Sequence, residues 1–184
     1  MNQKKATNVV GTFEKVTLTQ FSKDWVHTFP VSENEVIPVA QVIDVVNDIY
    51  NKITVPVRAT KYSAGYDFVT PIDIKLEPGA TIKFPTGIKA KITDPAWCLL
   101  IMPRSSLGFK YRLMLDNTVG LIDADYQNSD NEGHIFVKLT NCGNKTVEVK
   151  SGDRIVQGVF VQYGITADDK VNDERNGGFG STGK

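Results

Sequence analysis

The sequence has no excess of charge of either sign, because 21 lysine and arginine residues balance 21 aspartate and glutamate residues. A protein without a net field has no general attraction for nucleic acid or for an anionic membrane surface. We therefore expect neither as a partner, and any anionic ligand must be bound by local donors.

Cysteine and long apolar runs are also scarce. Cys98 and Cys142 are far apart and have no metal-site spacing, which is typical of small buried residues in a reducing compartment. The longest apolar run, Trp97 to Met102, is far too short to span a bilayer, and the first ten residues lack the apolar core of a signal peptide. These absences predict a soluble, cytoplasmic protein. The 184 residues are enough for one domain with a substantial core.

The first 53 residues differ in pattern from the rest. Residues 19–26 are compatible with one or two helical turns. After Pro38, apolar residues recur every three or four positions, which predicts an amphipathic helix. We therefore interpret residues 1–53 as a partly helical N-terminal appendage that packs on the main domain and carries no chemistry. The apolar residues of the predicted helix are Val39, Val42, Ile43, Val46, Ile49 and Tyr50.

Beyond residue 53, short segments rich in Val, Ile, Thr and Phe are separated by turn residues. Apolar and charged residues alternate from Ile72 to Glu77 and from Val147 to Lys150, and each run ends at a glycine-containing turn. This pattern predicts an all-β sandwich or barrel over residues 54–170. Residues 171–184 contain too many glycines to be ordered alone, so we expect a flexible C-terminal tail.

One stretch, residues 117–128, reads N-T-V-G-L-I-D-A-D-Y-Q-N and has Asp123 and Asp125 two positions apart. In an extended chain both carboxylates would face the same side. Taken alone, the stretch fits the solvated end of an edge strand better than a catalytic pair.

Four other short stretches are ambiguous when each is taken alone. S-A-G-Y-D-F at 63–68 fits an ordinary turn. P-R-S-S-L-G at 103–108 fits either a phosphate site or the start of a helix capped by Ser105 or Ser106. G-D-R-I-V-Q-G at 152–158 fits a surface ion pair at a strand start. R-N-G-G-F-G-S-T-G at 175–183 fits either a flexible terminus or a loop that wraps phosphate.

Together and in this order, the five stretches resemble the five motifs of the homotrimeric dUTPase (dUTP diphosphatase) family. The resemblance covers roughly residues 55–184. It implies a jelly-roll β fold, a homotrimer with three shared active sites, and Mg²⁺ as the usual metal. It also implies hydrolysis of dUTP to dUMP and pyrophosphate, which limits uracil incorporation into DNA and supplies dUMP.

The resemblance implies that Asp123 is the catalytic residue, a general base that orients the water attacking the α-phosphorus. Tyr126 would pack under the deoxyribose and leave no space for a 2′-hydroxyl. Asn117 and the neighbouring hairpin backbone would read the uracil edge. Cytosine would leave buried groups unpaired there, at a cost on the order of 1–3 kcal/mol for each. The implied base and sugar contacts are Asn117, Gly120, Ile122, Tyr126 and Phe179.

The resemblance also implies a set of phosphate contacts. Ser105 would lie near the oxygen that bridges the α- and β-phosphates, and Asp67 would hold the metal site through water. Folding of the tail over the triphosphate would exclude bulk water, as a lid does. We have no firm role for Asp125. The implied phosphate contacts are Arg104, Ser105, Ser106, Gln157, Arg175, Gly180, Ser181 and Thr182.

Three features depart from the family pattern. The usual D-Y-x-G is interrupted, so residues 128–132 are interpreted as a loop inserted before Gly133. Arg175 is one residue closer to Phe179 than usual, which puts its reach in doubt, and the N-terminal appendage is extra. These features resemble a subgroup found in phages and prophages of low-GC Gram-positive bacteria.

Two alternatives stay open. The first is a dCTP deaminase of the same superfamily, but its general-base glutamate would fall near Lys138, and a lysine cannot take that role in the same way. The second is a trimeric, nucleotide-dependent regulatory protein that binds a partner through residues 1–53 or 128–132, which is compatible with catalysis.

Overall fold

The computed structural model describes residues 8–30, 37–173 and 175. These residues form twelve strands and three α-helices, so the predicted all-β class with a partly helical start is confirmed. In chain order the elements are β1 (Gly11–Lys15), α1 (Leu18–Thr28), α2 (Val39–Lys52), β2 (Val57–Arg58), β3 (Tyr66–Val69), β4 (Ile74–Leu76), β5 (Thr81–Pro85), β6 (Ile88–Ile92), β7 (Trp97–Pro103), α3 (Ser105–Tyr111), β8 (Leu113–Leu115), β9 (Gly120–Ile122), β10 (Phe136–Asn141), β11 (Val147–Val149) and β12 (Arg154–Gln162).

The strands form antiparallel sheets that enclose one core. The largest has the order β2-β3-β12-β7-β9, a second has the order β5-β10-β8, and β1-β6 and β4-β11 form two pairs. Phe68, Phe84, Leu99 and Leu139 come from four different strands and share one buried cluster. Burying the inner faces of several sheets against each other is the main source of stability in such folds.

Strands β4 and β11 show why the alternating pattern is informative. Ile74, Leu76, Val147 and Val149 are buried, whereas the residues between them are exposed. The two strands pair with each other, with Val147 opposite Leu76. The apolar side chains therefore share one face, as the period of two predicts.

The N-terminal segment contributes to the core. Strand β1 pairs with β6, with Gly11 opposite Ile92. The ring of Phe13 lies 5.2 Å from that of Tyr66, 5.4 Å from that of Phe68 and 5.5 Å from that of Phe160, measured between centroids. The segment is thus attached through backbone pairing and through aromatic packing.

The two N-terminal helices differ in how well they are covered. In α1, Phe21 is fully buried. Helix α2 begins directly after Pro38, as predicted, but only Val46 is buried, and Val39 and Ile43 are exposed. No helix in the described part of the chain is long and apolar enough to cross a membrane.

Candidate active site

The two acids of residues 117–128 do not lie on a strand. Strand β9 ends at Ile122, and Asp123 is the extended N-cap of a short 3₁₀-helix, Ala124–Asn128, in which Tyr126 N–H donates to the carbonyl of Asp123 (3.2 Å). The prediction of an edge strand through Asp125 is therefore wrong. Aspartate is a common N-cap residue. Two acids at positions i and i+2, however, fit the start of a helical turn as well as they fit the end of a strand.

A cavity of about 610 Å³ lies beside this turn. Asn117, Gly120, Ile122 and Tyr126 all line it, so the structure brings together four of the residues predicted to contact base and sugar. Its size is that of a pocket for a small organic ligand. The turn at Asn117 connects β8, which pairs with β10, to β9, which pairs with β7. The prediction of a hairpin there is wrong, because the two strands belong to different sheets.

Tyr126 lies at the base of this cavity and is buried. Its hydroxyl donates to the carbonyl of His134 (2.9 Å) and accepts from Nδ2 of Asn131 (2.9 Å). Burial raises the pKa of Tyr126, and the Asn131 hydrogen bond and the charge of Arg175 oppose this only in part. The phenol is therefore neutral and fixed in place at both of its hydrogen-bonding positions.

Arg175 closes one side of the cavity. Its Nη1 lies 2.8 Å from Oδ2 of Asp123 and 3.2 Å from Oδ1 of Asp125, and its guanidinium carbon lies 5.4 Å from the centre of the Tyr126 ring. Burial lowers the pKa of Arg175, but the hydrogen bonds and charges of the two aspartates outweigh burial and raise it. In this structure Arg175 contacts the predicted catalytic acid rather than the predicted phosphate group, and its phosphate role stays a prediction.

A second cluster surrounds Asp67, which is buried on β3. Its Oδ1 forms an ion pair with Nε of Arg104 (3.0 Å), and its Oδ2 accepts a hydrogen bond from Nη1 of Arg154 (3.1 Å). Gln157 lies opposite Asp67 in the sheet. A Cβ at Gly65 would lie 2.5 Å from the side-chain oxygen of Gln157, so the glycine leaves room for that side chain. Four of the predicted phosphate and metal residues are thus gathered here, namely Asp67, Arg104, Ser105 and Gln157.

Ser105 and Ser106 begin the seven-residue helix α3, so the helix-start interpretation of this stretch is confirmed. The N-cap is Arg104, without a side-chain capping bond, and so the prediction that a serine is the N-cap is wrong. Both serines are exposed, and they directly follow Arg104 in the chain.

Both clusters border β7, at different positions along the strand. Leu99 pairs with Ile122, which directly precedes Asp123, while Arg104 directly follows the end of the strand. Arg104 is five positions after Leu99, which is roughly 17 Å at about 3.3 Å per residue. A single chain therefore places Asp123, the predicted catalytic acid, and Arg104, a predicted phosphate contact, beside different positions of β7.

No cluster of three or more His, Cys, Asp or Glu side chains that could hold a metal ion occurs among the residues the structure describes. Asp67, predicted to hold a metal through water, has both oxygens in ion pairs with arginines. This arrangement disfavours direct coordination by Asp67.

The part of the chain that matches known proteins contains the site residues described above. The family model described as dUTPase matches residues 51–183. The chain belongs to the dUTPase family. A relative, the deoxyuridine 5′-triphosphate nucleotidohydrolase of Lactococcus lactis subsp. lactis (strain IL1403), is 43% identical over 135 residues, which is 71% of this chain and 89% of the relative.

Solved dUTPase structures share the fold. The dUTPase of Streptococcus mutans is 38% identical, with a TM-score of 0.55, and the match covers 63% of this chain and 90% of that one. A dUTPase from phage phi11 of Staphylococcus aureus is 21% identical, with a TM-score of 0.54 over 66% of this chain and 92% of that one. The predicted jelly-roll-like dUTPase fold is confirmed.

The two segments that depart from the dUTPase pattern contact each other. Glu132 accepts from both the N–H (2.9 Å) and the hydroxyl (2.5 Å) of Thr17, the N-cap of α1. Nδ1 of His134 lies 2.6 Å from Oδ2 of Asp24 on the same helix. Sequence reasoning missed these residues, and the one available signal was a histidine at the start of the apolar run 134–137.

Four predicted site residues, Phe179, Gly180, Ser181 and Thr182, lie outside the described part of the chain. Their roles in stacking on the base and holding the γ-phosphate stay predictions. Lys138, the position of the deaminase glutamate, lines the cavity and pairs with Asp116 (2.7 Å).

Proposed function

We propose that the 610 Å³ cavity binds the nucleoside of dUTP and that Asp123 orients the attacking water. Hydrolysis of dUTP to dUMP and pyrophosphate is the activity of the family, and it both limits uracil incorporation into DNA and supplies dUMP. The observation that carries the assignment is the 2.8 Å ion pair between Asp123 and Arg175, because Arg175 lines the cavity together with the buried Tyr126.

The cavity wall suits a uracil nucleotide. Asn117 supplies an amide at the turn, and the backbone of Gly120 lies beside Ile101, where a Cβ would come within 3.2 Å of the isoleucine Cβ. A backbone that is packed this closely holds its own N–H and carbonyl groups in fixed positions, where they can recognise the donors and acceptors of the base. Tyr126 would lie under the deoxyribose, where its fixed ring leaves no space for a 2′-hydroxyl.

The separation of the two clusters supports a trimer with shared sites. Asp123 must reach the α-phosphate through one water, and Ser105 must reach the same triphosphate one bond further along. Within one chain Asp123 follows the strand partner of Leu99 and Ser105 follows Arg104, and Leu99 and Arg104 are roughly 17 Å apart along the direction of β7. A complete site then requires Asp123 from one subunit and Arg104, Ser105, Ser106 and Gln157 from another.

The reaction needs positioning more than covalent chemistry. As water attacks, charge grows on the leaving pyrophosphate, and donors fixed in advance stabilise that charge. Asp67 holds Arg104 in place through its buried ion pair, so the guanidinium is ordered before the substrate arrives. The serines of α3 add hydroxyl and backbone N–H donors.

The donors of this chain fit a Mg²⁺ ion that arrives with the substrate. Mg²⁺ keeps several waters and is usually bound by one or two carboxylates plus substrate phosphates, and the described residues offer no ready cage. When bound, the ion would neutralise charge on the triphosphate. Asp67 is the residue we propose to support it through water. The phage phi11 dUTPase is described with a structural Mg(II) ion.

Arg175 links substrate binding to the tail. Its guanidinium pairs with Asp123 and Asp125 and lies over the Tyr126 ring. Substrate entry requires Arg175 to leave this position, and the triphosphate provides a stronger anionic partner. The tail residues Phe179, Gly180, Ser181 and Thr182 would then close over base and γ-phosphate.

A partner-binding role is a second proposal, which the exposure of α2 favours. Val39 and Ile43 are 74% and 52% exposed on one side of the helix. Asn131 and Glu132 of the inserted loop are instead engaged within the chain. Deleting residues 1–50 would remove Phe13 from the core, so replacing Val39 and Ile43 by glutamate is the better test of partner capture.

The substrate is tested by measuring pyrophosphate release from dUTP, dTTP, dCTP and UTP, with and without Mg²⁺. We expect activity on dUTP alone. Ammonia release from dCTP would contradict this assignment and support the deaminase alternative. Equal turnover of UTP would contradict the role of Tyr126. The cytoplasmic location predicted from the sequence stays a prediction.

A further inference from the structure

The hydroxyl of Tyr126 is held by groups that lie outside the cavity. One partner, Asn131, belongs to the inserted loop, and the other is the backbone carbonyl of His134. A phenol hydroxyl has one proton to donate, and here it goes to His134 while the oxygen accepts from Asn131. The ring position therefore depends on the loop that follows it.

His134 is in turn fixed by the N-terminal helix. Its side chain is fully buried, and its Nε2 accepts from the backbone N–H of Gly87 (2.8 Å). A backbone N–H can only donate, so the ring proton is on Nδ1, which donates to Oδ2 of Asp24 (2.6 Å). The histidine is held at both nitrogens, and so its backbone carbonyl is held as well.

Asp24 is itself well placed on α1. It accepts from Nε2 of Gln20 (2.8 Å) as well as from His134, and its side chain is 14% exposed. Burial opposes the charged form, but these hydrogen bonds outweigh it and lower the pKa of Asp24. A charged, nearly buried acceptor gives the bond to His134 more strength than a neutral pair would have.

We propose that Asn131 and Asp24 are positioning residues for Tyr126, through which the inserted loop and α1 tighten the discrimination against ribonucleotides. The inference rests on the proposed place of Tyr126 under the sugar. A ring that is held at its hydroxyl cannot shift away from an extra 2′-hydroxyl. A less firmly held ring should therefore raise kcat/KM for UTP relative to kcat/KM for dUTP.

The test compares kcat/KM for dUTP with kcat/KM for UTP in Asn131→Ala and Asp24→Ala. We expect the dUTP-to-UTP ratio to fall about threefold to tenfold, the range for loss of one hydrogen bond. A purely structural role would lower both kcat/KM values together and leave the ratio unchanged, which would overturn the proposal. Asn131→Ala changes a partly exposed loop residue, so it decides the question if Asp24→Ala does not fold.

Glu132→Gln is the matched control, because Glu132 also ties the loop to α1 but does not contact the Tyr126 hydroxyl. It should keep the wild-type ratio, and a fall like that of Asn131→Ala would overturn the proposal. In a Tyr126→Phe background, Asn131→Ala should cause no further change in the ratio. If Asn131→Ala lowered the dUTP-to-UTP ratio in that background as much as it does in the wild type, the proposal would also be contradicted. Wild-type enzyme that accepts UTP and dUTP alike would instead refute the proposed role of Tyr126 itself.

Discussion

At the scale of single residues, Asp123 and Asp125 both pair with the guanidinium of Arg175, but they differ in backbone position and in exposure. Asp123 directly follows β9, whereas Asp125 lies within the 3₁₀-helix and is more exposed, 51% against 41% for the side chain. Two acids that both face one arginine are poorly arranged to act as an acid and base couple. The geometry supports one catalytic acid and one neighbour.

We expect Asp123→Asn to lower kcat for dUTP by roughly 10²- to 10⁴-fold, because the variant keeps the shape but loses the general base. Steady-state pyrophosphate release measures this. Asp125→Asn is the matched control and should retain activity within a few-fold, since it removes the same charge from the same arginine. If the two variants lose activity equally, charge balance with Arg175 rather than base catalysis explains the loss.

Prediction from sequence worked best for residues within recognisable motifs. Asn117, Gly120 and Tyr126 line one cavity together with Arg175, and Arg175 pairs with Asp123. Asp24 could not be found this way, because an acid on an exposed-looking helix carries no sign of a histidine 110 residues later.

At the scale of elements, the inserted loop provides a missing part of α1. Many helices begin with a serine or threonine N-cap and a glutamate at the third helical position that accepts from the N-cap N–H. Here Gln20 occupies that position but donates to Asp24, and Glu132 accepts from the N–H of Thr17 instead. The loop thus caps a helix from a distant part of the chain.

The contact between Glu132 and Thr17 should make the stability of the fold depend on pH. Burial opposes ionisation of Glu132, but the hydrogen bonds of Thr17 and the charge of Lys89 outweigh burial and lower its pKa from 4.5. A carboxylate with a lowered pKa stabilises the fold fully above its ordinary pKa, and that contribution is lost as the pH falls through the folded-state value. Glu132→Gln should therefore unfold roughly 3 °C below wild type at pH 7, as about 1 kcal/mol predicts.

Thermal unfolding between pH 7 and pH 3.5 measures the difference. The gap between wild type and Glu132→Gln should stay constant down to about pH 5 and narrow below pH 4.5. Glu148→Gln, at an exposed position on β11, serves as control and should unfold with wild type throughout. A gap that is independent of pH would mean that packing, not the charge of Glu132, accounts for the contact.

Elements with strict periodicity were predictable and the turn at the acids was not. Strands β4 and β11 follow their alternation, and α2 follows its spacing of three and four. Residues 123–125 were misassigned because a pattern of two acids carries no information on whether the backbone continues or turns. Helix α2 also leaves Val39 and Ile43 exposed, since periodicity defines a face but not what covers it.

At the scale of the whole molecule, β7 acts as a spacer between two half-sites. One part of the strand borders the cavity through its pairing with β9, and its end leads directly into Arg104 and α3. We expect neither half to hydrolyse a triphosphate alone. The sequence contained both halves, but their separation depends on strand pairing and could not be inferred from motif order.

Mixed trimers should test this division. Asp123→Asn and Arg104→Ala subunits, each inactive alone, should recover activity when unfolded together and refolded at equal amounts. If Asp123 and Arg104 of a site come from different subunits, random mixing gives about one quarter of the sites both intact residues. Pyrophosphate release near that level supports shared sites, and no recovery, with trimers verified by light scattering, contradicts them.

The bond between Asp24 and His134 also constrains how such a gene can recombine. The two residues are 110 positions apart, and Thr17 and Glu132 are 115 apart, yet each pair forms one contact. In a chimera that takes its first 52 residues from another dUTPase, His134 and Glu132 would lose their partners Asp24 and Thr17. Functional hybrids should therefore inherit residues 1–52 and 128–134 from the same parent.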